Sequence, residues 1–161
     1  MIKKIIVPYD YSKPAENALS YAIDLVKSMK EQQQELILLH VVNLSSYSTG
    51  SFSSRRIQSP KTGDMITLEQ YLKDTAIDIK IDAKKTLEDK IKKIKSNGFS
   101  IKGVVLSGDP TEEILKFSEL ENIDLIVMGN VGLKGISKIK TLGSVSRKVI
   151  ENSIRPVLII H

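Results

Sequence analysis

Short apolar runs alternate with stretches of helical periodicity along the chain, and this alternation constrains the fold more than any other feature. The runs are continuous rather than alternating in polarity, which is typical of strands buried on both faces. Strands separated by helices favour a parallel sheet covered on both sides. The sequence therefore predicts an α/β fold with a doubly wound five-stranded parallel sheet, its strands near 3–7, 36–42, 101–106, 123–128 and 156–160.

Helix start signals stand between these runs. Ser12 suits an N-cap and Pro14 the first turn of the helix that follows. Asp109 and Pro110 repeat the same arrangement before a helix that runs to about Glu121. A longer helical pattern covers 68–97, and the last helix covers about 143–152. In such a sheet, ligands bind beyond the carboxyl ends of the strands, where the strand order reverses.

The chain of 161 residues, with a mass of 17.9 kDa, fits a single domain over 1–161. One segment departs from the pattern. Residues 43–65 contain the serine-rich stretch SSYSTGSFSSRR and little apolar periodicity. We interpret this segment as an exposed, flexible loop, with a lid over a ligand as the alternative.

Several classes of protein are excluded or disfavoured by composition. The chain has no cysteine, which excludes disulfides, cysteine zinc sites and thiol catalysis. Its two histidines, His40 and His161, offer little for a metal site, and His40 lies inside a predicted strand as a packed residue. No apolar run approaches a membrane span, and the first is too short for a signal peptide. We therefore expect a cytoplasmic protein without a membrane partner.

The formal net charge of +5 and the pI of about 9.3 suggest an anionic partner. Aromatic residues make up only 5% and tryptophan is absent, which argues against stacking on nucleic-acid bases. The lysines between 80 and 95 alternate with acidic residues, as on a solvated helix face. The expected anion is therefore a phosphate compound and not a nucleic acid.

A glycine-rich stretch after the fourth predicted strand suits phosphates. Gly129 and Gly132 follow that strand, and Gly143 and Ser144 open the last helix. Glycines let backbone N–H groups approach a ligand, and a helix N-terminus attracts anions. Further candidates are the Ser146 hydroxyl and the ammonium groups of Lys134, Lys138 and Lys140. Glycine is also common after strands in general, and Ser144 could simply cap its helix. Neither the P-loop nor the dinucleotide motif is present.

Several segments together resemble the universal stress protein (UspA) family. The opening IIVPYDYSKPAENALSYAIDLVK resembles that family's first strand and helix, and LILLHVV resembles its second strand. SGDPTEEIL resembles its third strand-to-helix turn. MGNVGLKG, followed by LGSVSRKVIENSIRPVLII, resembles its nucleotide loop, last helix and last strand. The resemblance covers the chain apart from 43–65.

The resemblance implies a Rossmann-like fold of the adenine nucleotide alpha hydrolase type and an adenine-nucleotide site. In the family's ATP-binding branch, nine residues separate the second glycine from the glycine before the serine. Here ten residues, 133–142, occupy that interval. The implied ligand is ATP, with Mg or Mn held by its phosphates. The implied site residues are Pro8, Asp10, Val41, Met128, Gly129, Gly132, Gly143, Ser144, Val145 and Ser146.

Within that site, the glycines, Ser144 and Val145 are expected to hold ribose and phosphates, with Met128 beside the ribose. Asp10 is expected at the adenosine end and Val41 at the adenine, although Asp10 could also be a turn residue. The expected function is a nucleotide-dependent regulatory protein that dimerises through its last strand. The longer glycine spacing leaves a second hypothesis open, a dimerising interaction protein that does not bind ATP. A slow metal-dependent ATPase is a third.

Overall fold

A computed structural model describes residues 2–29, 33–43, 54–94, 99–131 and 142–161. Strands and helices alternate along most of this chain, as the sequence predicts. The strands are β1 Lys4–Pro8, β2 Gln34–Val42, β3 Arg56–Gln58, β4 Met65–Thr67, β5 Phe99–Ser107, β6 Leu125–Gly129 and β7 Val157–Ile160. The helices are α1 Lys13–Ser28, α2 Leu68–Lys92, α3 Pro110–Leu120 and α4 Ser144–Asn152.

Five strands form one parallel sheet in the order β5-β2-β1-β6-β7. The chain builds outwards from β1 to β2 and β5, and then returns to place β6 on the other side of β1. The predicted doubly wound parallel sheet is therefore confirmed. Its strand order reverses between β1 and β6, which makes their carboxyl ends the expected position of a ligand.

Each face of the sheet has its own hydrophobic core. On one face Ile5 and Val7 of β1 pack in a cluster with buried residues of α1 and α2. On the other face the intervening Ile6 packs in a cluster with Ile114 of α3 and Val149 of α4. All three β1 side chains are fully buried, so the continuous apolar run follows from helices lying on both sides.

The predicted helix caps are present. The Ser12 hydroxyl accepts a hydrogen bond from Ala15 N–H at 3.2 Å. Asp109 Oδ1 accepts from the N–H groups of Thr111 and Glu112 at 2.9 and 3.1 Å. Each cap satisfies N–H groups that have no acceptor inside the helix. These two helices therefore begin where the sequence predicts.

The second part of the predicted loop has regular structure that the sequence did not reveal. Strands β3 and β4 form an antiparallel hairpin directly before α2, with Ile57 opposite Ile66. Each strand is three residues long and carries one half-buried isoleucine, which is too short to show an alternating pattern. The correction applies to 56–65 of the segment 43–65. Residues 44–53 of that segment lie outside the described residues.

Asp124 joins the beginning of β6 to the beginning of β1. Its Oδ2 accepts from the backbone N–H groups of Lys3 and Lys4 at 2.8 and 2.9 Å. The bond from Lys4, followed by that from Lys3, lowers the pKa of Asp124 below its ordinary value. A carboxyl group with a lowered folded-state pKa stabilises the protein above its unfolded pKa, near 4, and that stability is lost as the pH falls through the folded value.

We expect Asp124→Asn to lower the free energy of unfolding by about 1 kcal/mol at pH 7, because an amide oxygen is a weaker acceptor than a carboxylate. The difference from the unmodified protein should begin to shrink below about pH 4, where the carboxyl group of the unfolded chain takes up a proton, and should vanish as the pH falls through the lower folded-state pKa. Urea unfolding of both proteins at pH 7 and pH 3 measures this. An equal difference at both pH values would contradict the role assigned to the carboxylate.

Candidate functional site

The carboxyl ends of β1, β2 and β6 lie at one edge of the sheet, around the point where the strand order reverses. β1 ends at Pro8, which pairs with Leu39, and β2 continues beyond that pairing through Val41. The register between β1 and β6 places Pro8 level with Met128, one residue before β6 ends at Gly129. Four of the predicted site residues therefore lie at the same edge.

The turn between β1 and α1 carries Asp10 at this edge. Asp10 Oδ1 accepts a hydrogen bond from Ser12 N–H at 3.1 Å. Asp10 therefore acts as a turn residue, which is the alternative role predicted for it. Between Asp10 and Ser12, Tyr11 has a φ of 65°, which is rare for a bulky side chain and costs on the order of 1–3 kcal/mol. The surrounding structure must compensate for that cost.

Aromatic contacts hold Tyr11 in this conformation. Its ring lies edge-on to Tyr9, with centroids 4.9 Å apart, and to His40, with centroids 5.3 Å apart. His40 Nδ1 lies 2.7 Å from the Tyr9 carbonyl oxygen. Because a carbonyl oxygen only accepts, Nδ1 carries the proton. His40 is therefore a packed strand residue, as predicted, and it fixes the shape of the β1–α1 turn.

A cluster of Tyr9, Glu16 and Lys90 links the β1–α1 turn to helices α1 and α2. Lys90 of α2 donates to both carboxylate oxygens of Glu16 of α1 at 2.8 and 2.7 Å, and the Tyr9 hydroxyl donates to the same carboxylate. Partial burial would raise the pKa of Glu16, but the hydrogen bonds from Lys90 and Tyr9 outweigh it and lower that pKa. Burial, and then the bond to Glu16, raise the pKa of Tyr9 well above its ordinary value. The hydrogen bonds among these three groups fix the β1–α1 turn relative to α1 and α2.

Gly129, at the end of β6, lies against the first turn of α1. An added Cβ at this position would stand 2.7 Å from both the carbonyl carbon and the Cβ of Pro14. The absence of a side chain at Gly129 therefore lets the end of β6 and the start of α1 meet. The Ser146 hydroxyl donates to the Gly129 carbonyl at 2.9 Å, and Ser146 is only 3% exposed. The side chain of Ser146 is thus occupied in positioning α4.

The N-terminus of α4 opens at the same edge. Gly143 is the N-cap and provides no side-chain hydrogen bond, so the alternative in which Ser144 caps the helix is wrong. The first helical bond runs from Arg147 N–H to the Gly143 carbonyl at 2.9 Å. The N–H groups of Ser144 and Val145 therefore have no acceptor within the helix. Ser144 is exposed, and these groups form a positive end that suits an anion.

The remaining predicted residues differ in what they can offer. Met128 is 4% exposed and its side chain packs in the core beside α3 and α4, so it can reach a ligand only through its main chain. Val41 is half-buried on the same face of the sheet. Gly132 and the three loop lysines, 134, 138 and 140, lie outside the described residues. The structure consequently describes both ends of the glycine-rich stretch but not its middle.

Two residues of this edge were missed in the sequence analysis. Pro14 faces Gly129, as described above. Asn130 accepts a hydrogen bond from Gly143 N–H at 2.7 Å through its carbonyl, and its side chain lies 3.1 Å from His161 Nδ1. A polar residue directly after a strand at the reversal of strand order was the available signal for Asn130. Nothing local marks Pro14, which lies more than a hundred positions from Gly129.

In the part of the chain that the structure describes, no three His, Asp or Glu side chains are grouped so that they could hold a metal ion. Across the same ranges, no helix has the length and apolar character needed to cross a membrane. The described residues of this edge offer a ligand the main-chain N–H groups of α4, the Ser144 hydroxyl and the Asp10 carboxylate.

Comparison with known proteins places this site in context. The family model described as the universal stress protein family matches residues 1–161. Universal stress protein MJ0577 of Methanocaldococcus jannaschii is 33% identical over 160 residues, covering 99% of this chain and 95% of the relative. Universal stress protein YxiE of Bacillus subtilis is 32% identical over 161 residues, covering 100% of both.

Solved structures agree with the fold. The structure of MJ0577 superposes with a TM-score of 0.77 at 32% identity and covers 99% of this chain and 96% of its own. A universal stress protein from Archaeoglobus fulgidus, described in complex with dAMP, has a TM-score of 0.57 at 18% identity, covering 100% and 98%. A further structure, described as a universal stress protein in complex with cAMP, has a TM-score of 0.55 at 23% identity, covering 99% of this chain and 97% of its own.

Proposed function

The chain belongs to the universal stress protein family, and from that premise we propose that it is an ATP-binding regulatory protein of the stress response. The observation that carries the proposal is the N-terminus of α4. Its Ser144 and Val145 N–H groups have no acceptor within the helix, and they lie at the sheet edge formed by the carboxyl ends of β1 and β6. The universal stress proteins described in complex with dAMP and cAMP support an adenine nucleotide as the ligand.

In this proposal the phosphates lie against the Gly143–Val145 turn, where backbone N–H groups and the helix dipole stabilise negative charge. Gly132 and the main chain of Met128 and Gly129 would line the ribose and phosphate path. The structure supports a main-chain role for Met128, since its side chain is in the core.

The nucleoside would lie over the β1–α1 turn. Asp10 can accept from a hydroxyl or amine, and Val41 would contact adenine through its main chain. The cluster of Tyr9, Glu16 and Lys90 supports this assignment, because it fixes the β1–α1 turn and so holds Asp10 in position before a ligand binds. The Ser146 hydroxyl would act indirectly, by fixing α4 on Gly129.

Binding rather than turnover is the proposed activity. A Mg or Mn ion accompanying the nucleotide would be held mostly by phosphate oxygens. Among the described residues, the edge offers donors for phosphate and we find no base positioned to activate water, so we expect any ATP hydrolysis to be slow. We propose a cytoplasmic protein whose nucleotide-bound and nucleotide-free forms present different surfaces to a protein partner.

We also propose that the protein is a homodimer paired through β7. This strand lies at the edge of the sheet and is bonded on one side to β6. Its four residues are half-buried, and Ile154 just before it is 72% exposed. An apolar edge strand of this kind is a ready partner for a second copy of the same strand.

The proposal is tested by asking whether the purified protein holds and rebinds adenine nucleotide. Acid extraction of fresh protein should release material that absorbs as adenine. Calorimetric titration of nucleotide-free protein with ATP and magnesium should give saturable binding near one nucleotide per chain, with ADP and cAMP as competitors. An extract free of adenine, together with no heat of binding, would favour the alternative suggested by the ten-residue spacing, an interaction protein that does not bind ATP.

A further inference from the structure

His161 lies directly after β7, beside the end of β6. The register between these two strands pairs Gly129 with Ile160, and Asn130 N–H continues the pairing by donating to the Ile160 carbonyl at 2.9 Å. Asn130 and His161 are therefore level with each other at the carboxyl edge of the sheet. The nucleotide site proposed above does not include His161.

Two hydrogen bonds fix His161 in this position. Its main-chain oxygen accepts from Asn17 Nδ2 of α1 at 3.2 Å. Its imidazole Nδ1 lies 3.1 Å from Asn130 Nδ2. Because an amide nitrogen only donates, Nδ1 accepts, and the proton of the neutral ring is on Nε2. His161 is exposed, so this Nε2–H is a donor that a ligand can reach.

The imidazole lies on the face of the sheet that carries α3 and α4. Side chains alternate between the two faces along a strand, and Met128 of β6 and Ile159 of β7 both pack on the α3 and α4 side. Asn130 and His161 each lie two positions further on, so they belong to the same face. The Asn130 carbonyl also accepts from the N–H of Gly143, the N-cap of α4, at 2.7 Å. A single residue therefore links His161 to the start of α4.

The order of the strands indicates which part of a nucleotide would come nearest to this imidazole. Across the sheet, β2 is followed by β1, β6 and β7. The proposed site has adenine at the end of β2, the nucleoside over the turn after β1, and the ribose and phosphate path beside the end of β6. The ligand thus extends towards β7, and the phosphates furthest from the ribose would lie nearest to His161.

We propose that His161 is a further phosphate ligand, whose Nε2–H donates to the distal phosphates of ATP, those beyond the phosphate attached to the ribose. This inference rests on the proposed function. A hydrogen bond from an N–H group to a phosphate oxygen is charge-assisted, and its loss costs about tenfold in affinity. Asn130 is a positioning residue, because it holds the ring through Nδ1. His161 then distinguishes ATP from AMP, which lacks the distal phosphates.

Calorimetric titration with ATP and with AMP, at the same magnesium concentration, isolates contact with the distal phosphates. His161→Phe keeps an aromatic ring but removes both ring nitrogens. We expect this substitution to weaken ATP binding about tenfold and to leave AMP binding within about twofold. The AMP titration is the internal control, because retained AMP binding shows that the fold and the nucleoside site are intact.

Asn130→Ala is the matched variant for the positioning role. It removes the side-chain bond to His161, whereas the bonds to Ile160 and Gly143 remain because they use the main chain. A ring that is free to rotate loses entropy on binding, so we expect ATP binding to weaken about threefold and AMP binding to stay unchanged. The double variant Asn130→Ala/His161→Phe should match His161→Phe alone, because both substitutions act through the same donor.

The imidazole nitrogens provide an independent spectroscopic measurement. The chain has two histidines, and their hydrogen bonds give them opposite tautomers, Nδ1–H for His40 and Nε2–H for His161. Nitrogen-15 NMR spectra at pH 8 should show both tautomers. ATP should shift the Nε2 resonance of His161, and AMP should leave it in place. His40 is the reference, since its resonances should respond alike to the two nucleotides.

An unchanged ratio of ATP affinity to AMP affinity in His161→Phe would overturn this inference and leave the proposed nucleotide site in place. His161 resonances that respond alike to ATP and AMP would have the same consequence. If the unmodified protein binds neither nucleotide, the proposed function itself fails, and the role of His161 fails with it. The two failures are therefore distinguishable.

Discussion

Replacing Gly129 with alanine is expected to lower the free energy of unfolding by about 3 kcal/mol, the upper part of the range for overpacking a close-packed interior. The added Cβ would stand 2.7 Å from two atoms of Pro14 and 2.9 Å from its carbonyl oxygen. Two of these three atoms belong to the backbone of the first turn of α1, so no rotamer change relieves the clash. Either α1 or the end of β6 must move.

Gly103→Ala is the matched control for this prediction. Its added Cβ would also be crowded, at 2.9 Å from Ile91 Cδ1 and 3.0 Å from Leu87 Cδ2. Those atoms are the ends of side chains, which can shift, and alanine in place of glycine in a strand also reduces the entropy of the unfolded chain. We expect a cost below about 1 kcal/mol. Urea unfolding of both variants compares them, and a cost for Gly103→Ala equal to that for Gly129→Ala would contradict the argument.

Gly129 also illustrates how far a motif can be interpreted without a structure. From the sequence, a glycine after a buried strand predicts a close approach to a ligand. The structure adds a close approach to Pro14, which is sufficient to require glycine by itself. A pattern typical of ligand binding can therefore contain a glycine that is needed for packing. The motif predicts a ligand site at this edge of the sheet, and it does not reveal the contact between Gly129 and Pro14.

Most of the sheet was predictable because its central strands β1, β2 and β6 are mostly buried and because helices α1 and α3 carry local start signals. Ser12 and Asp109 cap their helices through bonds that span two or three residues, which sequence can reveal. The hairpin formed by β3 and β4 was not predictable, since each strand contributes one half-buried isoleucine. Its connecting turn contacts α2 through an ion pair between Lys61 and Asp78, residues that lie 17 positions apart.

The same distinction applies to the site. The strand ends at Pro8 and Gly129 follow from local pattern, and the parallel sheet brings them to one edge. The cluster of Tyr9, Glu16 and Lys90 at the β1–α1 turn does not follow from local pattern, because Lys90 and Glu16 lie 74 positions apart in the sequence. On the sequence alone Lys90 is one lysine in a charged helix face. Only the packing of α2 beside α1 gives it a specific partner.

Ser144→Asp is expected to weaken ATP binding by at least about 100-fold without destabilising the protein. A carboxylate at the first position of α4 would stand among the N–H groups assigned to phosphate, and like charges a few ångströms apart near a protein surface repel by about 3–4 kcal/mol. The same carboxylate interacts favourably with the positive end of the helix, by about 0.5 kcal/mol. Binding and stability should thus change in opposite directions, which distinguishes loss of the site from loss of the fold.

Two controls separate charge at the phosphate site from other effects. Asn152→Asp makes the same charge change at an exposed position of the same helix, about 12 Å along its axis, beyond the screening length at physiological salt. It should leave ATP affinity within about twofold. Ser144→Ala removes the hydroxyl but keeps the backbone N–H, so we expect a loss of no more than about tenfold. Calorimetric titration measures all three variants, and unchanged affinity in Ser144→Asp would show that the α4 N-terminus does not receive the phosphates, because a carboxylate and a phosphate cannot share those N–H groups without a measurable cost.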